Sequence, residues 1–192
     1  MPPNLCWCPT GPFAFLPIHA AGMYGIEEPV CVSDYVVSSY TPTVSALLRD
    51  TPLHPTPFKM MVVIQPELPY TVDELQRIEA RLPVTKAQLE LVRLVSGTVE
   101  EVTLHLPTTS IAHFASHGVQ DTQKPLESAL LLQDRRPLTV HRIMQQSSPN
   151  AGLAFLAACQ TAMGDKTLPD EAIHLGSTLL FSGFRGVVAT MW

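Results

Sequence analysis

Two apolar runs in the sequence each end at a side chain that can take part in nucleophilic catalysis. The run Ile111–Ser116 precedes His117, and the run Gly152–Ala158 precedes Cys159. A thiol with an ordinary pKa of about 8.5 is mostly protonated near neutral pH, so it needs a neighbouring imidazole to become a nucleophile. If both runs are strands of one parallel sheet, both side chains lie at its carboxyl edge. The pattern predicts a cysteine–histidine pair, with Cys159 as nucleophile and His117 as general base.

The residues around this pair also offer backbone donors for an oxyanion. Attack on a carbonyl carbon places negative charge on its oxygen, which N–H groups at about 2.7 to 3.1 Å stabilise. Gly118 has no Cβ, so its backbone can come close to a substrate, and the N–H of Cys159 can supply a second donor. We expect Gly118 and Cys159 to form the oxyanion hole. Either run alone is weak evidence, because free cysteines are commonly buried as small hydrophobic residues; the combination indicates chemistry.

A second histidine lies within the first of these runs. His113 occupies an interior strand position, so we predict a buried histidine with its ring nitrogens hydrogen-bonded. The alternative is that it orients His117. A zinc site made of His113, His117 and Cys159 is conceivable by residue type, but a fourth ligand at a known spacing is missing from the sequence. We therefore predict no metal and no cofactor.

Length and composition limit the class of protein. The chain has 192 residues, 46% hydrophobic and 15% charged, which suits a single globular domain over residues 1–192. A net charge of −5, with scattered Lys and Arg, argues against nucleic acid as a partner. Neither a basic start before an apolar stretch nor an apolar run of about 20 residues is present. We expect an intracellular, cytoplasmic protein with free thiols and no membrane contact.

Periodicity and turn residues predict alternating strands and helices. Most of the 18 prolines lie in the first 69 residues, where we expect short strands at 6–8, 30–32 and 35–37 and a short helix over 43–49. Helices are predicted over residues 71–82, 86–95, 99–106, about 140–146 and about 170–184. Strands are predicted over residues 60–64, 111–116, 129–132, 153–158 and 186–192. This order indicates an α/β fold with a largely parallel sheet flanked by helices on both faces.

Several segments resemble the CHAT domain, a family of caspase-like and separase-like cysteine peptidases that often accompanies tetratricopeptide repeats. The segments are His113–Gly118, Leu156–Ala162, Asp170–Leu175, Ser182–Trp192, Cys8–Gly11, Leu16–Ala21 and Val36–Leu47. The histidine precedes the cysteine by roughly 40 residues, which is close to caspases, where the histidine lies about 50 residues before the cysteine. The resemblance implies a caspase-like three-layer fold in which His117 and Cys159 act as a catalytic dyad.

The resemblance also sets expectations for activity and partners. It implies a cysteine endopeptidase that cleaves a polypeptide, with tetratricopeptide-repeat or other regulatory domains as partners. The alternative is a catalytically silent, peptidase-like scaffold that binds protein partners in a signalling assembly. Relatives continue past the strand that ends near Trp192, so we expect the domain to be incomplete at its carboxyl end. Ser116 stands where many relatives carry a cysteine, a difference expected to leave the chemistry unchanged.

Overall fold

The computed structural model describes residues 2–25, 27–48, 58–82, 89–121, 123–158 and 174–190. The strands in this part are β1 (Asn4–Trp7), β2 (Gly22–Met23), β3 (Val30–Cys31), β4 (Val37–Tyr40), β5 (Phe58–Ile64), β6 (Leu89–Val95), β7 (Ile111–Ala115), β8 (His117–Val119), β9 (Ala129–Leu131), β10 (Pro137–Thr139), β11 (Leu153–Leu156) and β12 (Gly186–Ala189). The α-helices are α1 (Thr71–Arg81), α2 (Val99–His105), α3 (Val140–Met144) and α4 (Leu175–Ser182). Short 3₁₀ turns cover Gly11–Phe15, Ile18–Ala20, Val32–Asp34, Val44–Leu48, Leu106–Thr108, Pro125–Glu127 and Gln133–Arg135.

A five-stranded parallel sheet in the order β12-β11-β7-β5-β6 forms the centre of the fold. The interior strand β5, next to the edge strand β6, contains the apolar run Met60–Ile64 because both faces of the sheet are covered there. Met61 and Ile64, on opposite faces of β5, are both 0% exposed. The prediction of an α/β fold with a largely parallel sheet is confirmed, and the architecture is consistent with the caspase-like class.

Helices cover the two faces of this sheet unequally. The larger hydrophobic cluster includes Phe114 and Leu156 and takes residues from α2, α3 and α4. The smaller cluster lies on the other face, where Leu75 of α1 packs with Val62 and Ile64. This gives three layers, with most of the apolar burial on the α2–α3–α4 side.

A small antiparallel sheet, β10-β9-β8, follows β7 in the chain. Only β9 was predicted, within residues 129–132. Leu130 of β9 and Leu138 of β10 are both 0% exposed and belong to the larger core cluster. The small sheet is therefore anchored to the same side of the main sheet as α2, α3 and α4.

The helix predicted over residues 86–95 is wrong over residues 89–95, and residues 86–88 lie outside the described residues. Residues 89–95 form strand β6, which pairs with β5 in parallel along seven residues. The apolar spacing of Leu89, Val92 and Val95 fits a helix, but the same segment forms the edge strand that is hydrogen-bonded to β5. Pairing with β5 overrides the local sequence pattern here.

The strand predicted at 35–37 is also misplaced. The observed strand β4 covers Val37–Tyr40, because a 3₁₀ turn over Val32–Asp34 precedes it.

Most other elements agree with the prediction. Helix α2 begins with the expected capping box, in which the Thr98 hydroxyl accepts from the Glu101 N–H and the Glu101 carboxylate accepts from the Thr98 N–H. The helix predicted over about 170–184 is present from Leu175 to Ser182, while residues 170–173 lie outside the described residues. Gly183 follows α4 at a φ of 124°, a backbone conformation that favours glycine.

Candidate functional site

The carboxyl ends of β7 and β11 define the candidate site. The two strands are parallel neighbours, with Phe114 paired to Leu156. The Ala157 N–H donates to the Phe114 carbonyl at 2.8 Å, so the ladder continues one residue past β11. Both strands therefore end together, and the residues that follow them emerge at one edge of the sheet.

His117 emerges at this edge. It is the first residue of β8 and is separated from the end of β7 only by Ser116. Pairing of Gly118 with Leu130 holds the segment against β9, and Leu130 is buried in the core. His117 itself is exposed, so an imidazole on a fixed backbone is open to solvent at the carboxyl edge. In the described part of the chain, no carboxylate is hydrogen-bonded to its ring.

Cys159 lies outside the described residues, and so its proximity to His117 stays a prediction. The residue before it in sequence, Ala158, is described and is 7% exposed. The Thr190 hydroxyl donates to the Ala158 carbonyl at 2.7 Å. Since Thr190 directly follows β12, this bond joins the carboxyl ends of β11 and β12 immediately before the candidate nucleophile. The oxyanion-hole role predicted for the Cys159 N–H and for Gly118 likewise stays a prediction.

His113 lies in the middle of β7 and faces α1. It is 5% exposed, which confirms the predicted burial. Its ring stacks on Phe155 of β11 with 5.2 Å between centroids. Its Nε2 lies 3.4 Å from the Glu74 carboxylate of α1, an ion-pair distance without hydrogen-bond geometry. The expected hydrogen bond at Nε2 is therefore not made among the described residues. Burial lowers the pKa of His113, and the Glu74 carboxylate partly opposes this effect.

The family follows from comparison with known proteins. The model of the CHAT domain family matches residues 2–192. The chain belongs to the CHAT domain family. This family is related to the caspase-like peptidases, in agreement with the five-stranded parallel sheet. No curated protein matches the chain significantly.

One residue of this CHAT domain that sequence reasoning did not single out is Gln65. It directly follows β5 at the carboxyl edge, next to β7, and is 2% exposed. Its side-chain Nε2 is buried and has no hydrogen-bond partner among the described residues. The signal in the sequence was a polar residue at the end of the apolar run Met60–Ile64. The sequence predicts the strand over residues 60–64 but assigns no role to the amide that follows it.

Metal and membrane features are not seen in the described part of this CHAT domain. Its His, Cys, Asp and Glu side chains form no group of three or more that could hold a metal ion. The zinc alternative includes Cys159, which lies outside the described residues, and therefore stays untested. None of the helices in the same residues has the length and apolar character needed to cross a bilayer.

Proposed function

We propose that the chain is a cysteine endopeptidase in which Cys159 is the nucleophile and His117 the general base. The observation that carries the proposal is the register of β7 and β11. These neighbouring parallel strands end at one edge, and each is followed within three residues by one member of the pair. Membership of the CHAT domain family, which is related to peptidases, supports the same chemistry.

The proposed reaction has two halves. The Cys159 thiol gives its proton to the His117 imidazole, and the sulfur attacks the peptide carbonyl carbon, forming a C–S bond. The tetrahedral oxyanion accepts hydrogen bonds from the N–H groups of Gly118 and Cys159. As the C–N bond breaks, the imidazolium returns the proton to the leaving amine. Water then attacks the thioester with His117 as base, which releases the acid and restores the thiol.

The solvent exposure of His117 suits both halves of this reaction. An exposed imidazole can exchange its proton and meet a water molecule without rearrangement of the core. Pairing of β8 with β9 keeps its backbone fixed meanwhile, since Leu130 is fully buried. The substrate would be a polypeptide, and tetratricopeptide-repeat or other regulatory domains are the proposed partners.

Labelling with a thiol-reactive peptide probe tests the dyad. We expect the probe to modify Cys159 in the wild type and not in Cys159→Ala. In His117→Ala the labelling rate should fall by about 10²-fold or more, because the thiol then lacks its base. His141→Ala is the matched control, since His141 is an exposed histidine on α3. Mass spectrometry of the labelled peptide separates Cys159 from Cys6, Cys8 and Cys31.

Turnover of a peptide library by the wild type tests the endopeptidase activity itself. We expect internal peptide bonds to be cleaved by the wild type and by His141→Ala, and not by Cys159→Ala. Equal, slow labelling of the wild type and His117→Ala, together with no cleavage, would contradict the proposal. That result would favour the silent scaffold that binds protein partners.

A further inference from the structure

The backbone of Gln65 is fully used, while its side-chain donor is not. Its N–H donates to the Ala115 carbonyl at 3.0 Å. Its carbonyl accepts from the Leu68 N–H at 3.0 Å and from the Thr71 hydroxyl at 2.9 Å. The side-chain Nε2 has no hydrogen-bond partner among the described residues, although the residue is only 2% exposed. The backbone hydrogen bonds thus fix the position of a side-chain amide whose N–H groups have no acceptor.

The position of Gln65 connects it to the proposed dyad. Ile64 pairs with Ala115, and the ladder hydrogen bond at Gln65 extends this register by one residue. Gln65 therefore lies beside Ser116, the residue before His117, at the inter-strand spacing of about 4.8 Å. Ala158, the residue before Cys159, continues the same row on the far side of Ser116.

The direction of the side chain follows from strand alternation. Met61 and Val63 of β5 belong to the larger core cluster, and Gln65 continues their parity. Leu130, which anchors the strand pair containing His117, belongs to the same cluster. The amide of Gln65 is thus on the side of the sheet where the β8–β9 pair is attached.

An unpaired buried donor needs an explanation, because nearly all buried polar groups in native proteins are hydrogen-bonded. An apolar side chain of similar volume would fill the same space without this cost. We propose that Gln65 is a substrate-binding residue, whose Nε2–H donates to an oxygen of the bound polypeptide. This inference rests on the proposed peptidase function. The acceptor is a backbone carbonyl or the side-chain oxygen of a substrate residue.

Burial makes such a contact effective. Because Nε2 is buried, a substrate oxygen that reaches it on binding accepts a hydrogen bond in surroundings of low dielectric. Hydrogen bonds of a site are commonly completed only when the substrate arrives. The contact would be made equally in the bound substrate and in the transition state. It should therefore appear in KM rather than in kcat.

Gln65→Leu tests this inference through stability and kinetics measured together. We expect KM for peptide substrates to rise roughly tenfold at unchanged kcat. The melting temperature should stay equal or rise, because the variant removes an unsatisfied buried donor. Gln65→Met, which keeps the length of the side chain and removes the donor, should show the same rise in KM. Gln145→Leu, at an exposed position of the turn after α3, is the matched control and should behave as wild type.

Two reagents separate a defect in binding from a defect in the dyad. Iodoacetamide has no peptide portion, so its rate of reaction with Cys159 should be the same in Gln65→Leu and in the wild type. The thiol-reactive peptide probe should label the variant more slowly. A substrate panel that varies the residue before the cleaved bond identifies the acceptor. A loss confined to Asp, Asn, Glu and Gln indicates a side-chain oxygen, and an equal loss for all indicates a backbone carbonyl.

The outcomes distinguish this inference from the proposed function. Unchanged KM in both Gln65 variants, with normal turnover, would overturn the role of Gln65 and leave the peptidase proposal standing. A fall in melting temperature with proportional loss of both labelling reactions would show that Gln65 is only structural. Absence of cleavage by the wild type would overturn the peptidase proposal and this inference with it.

Discussion

Acidification should destabilise the folded chain through His113. The ring is 5% exposed, and burial lowers its pKa in the folded state below the value of 6.5 that applies when it is in water. The folded chain therefore binds fewer protons at this site than the unfolded chain once the pH falls below about 6.5. Stability from the neutral, buried ring is fully present above that pH and is lost as the pH falls toward the folded-state pKa.

The loss of stability has an upper limit, because His113 binds only one proton. A difference of one bound proton changes the free energy of unfolding by about 1.4 kcal/mol per pH unit. One pH unit below 6.5 can therefore remove up to about 1.4 kcal/mol of stability. The Glu74 carboxylate, 3.4 Å from Nε2, favours the charged ring and reduces the loss. Glu74→Gln should lower the pKa of His113 further and extend the loss to lower pH.

Urea unfolding between about pH 5 and about pH 8 measures this dependence. The free energy of unfolding of the wild type should fall relative to that of His113→Gln as the pH decreases through the window. His141→Gln, a control at an exposed histidine of α3, should follow the wild type at every pH. Parallel curves for the wild type and His113→Gln would refute the reasoning, because the buried ring would then bind protons as readily as in the unfolded chain.

Three further predictions concern stability, each measured by urea unfolding at neutral pH. Phe114→Ala should cost about 3 to 5 kcal/mol, since the side chain is fully buried in the larger core; a loss below about 1 kcal/mol would contradict this packing. Thr98→Ala removes the cap of α2 and should cost about 1 kcal/mol, and an unchanged midpoint would show that the capping box contributes nothing. Gly183→Ala should cost about 2 kcal/mol or more, because φ is 124° and the new Cβ would lie 2.5 Å from the Ser148 carbonyl oxygen. Gly152→Ala is its control and should cost less, since the nearest atom is 3.4 Å away.

The central strands and the edge where they end were predictable from the sequence. Strands β5, β7 and β11 are short apolar runs that end at polar or small residues, a pattern typical of strands covered on both faces. Helix α2 was predictable because its capping box is a local signal with a local cause. The position of His117 at the sheet edge followed from these strands alone.

The rest depends on contacts between segments distant in sequence. Strand β6 has helical spacing and becomes a strand only because β5 offers it a parallel partner. Strands β8 and β10 have three residues each, too few to show a period, and both depend on pairing with β9. The unpaired amide of Gln65 could not be foreseen at all. Its position at the end of an apolar run is visible, but whether a buried donor finds a partner is decided by the packed chain.

The start of α1 contacts both Gln65 at the end of β5 and His113 in β7. The Thr71 hydroxyl, at the first residue of α1, holds the carbonyl of Gln65, and one turn later Glu74 approaches His113 of β7. Strand β7 then leads directly to His117. The packing of α1 on the sheet thus fixes the backbone of Gln65 and also places the Glu74 carboxylate beside β7, the strand that precedes the proposed general base. Because one turn positions both groups, changes that shift α1 should alter substrate affinity and the pH dependence of stability together, whereas Gln65→Leu should alter affinity alone.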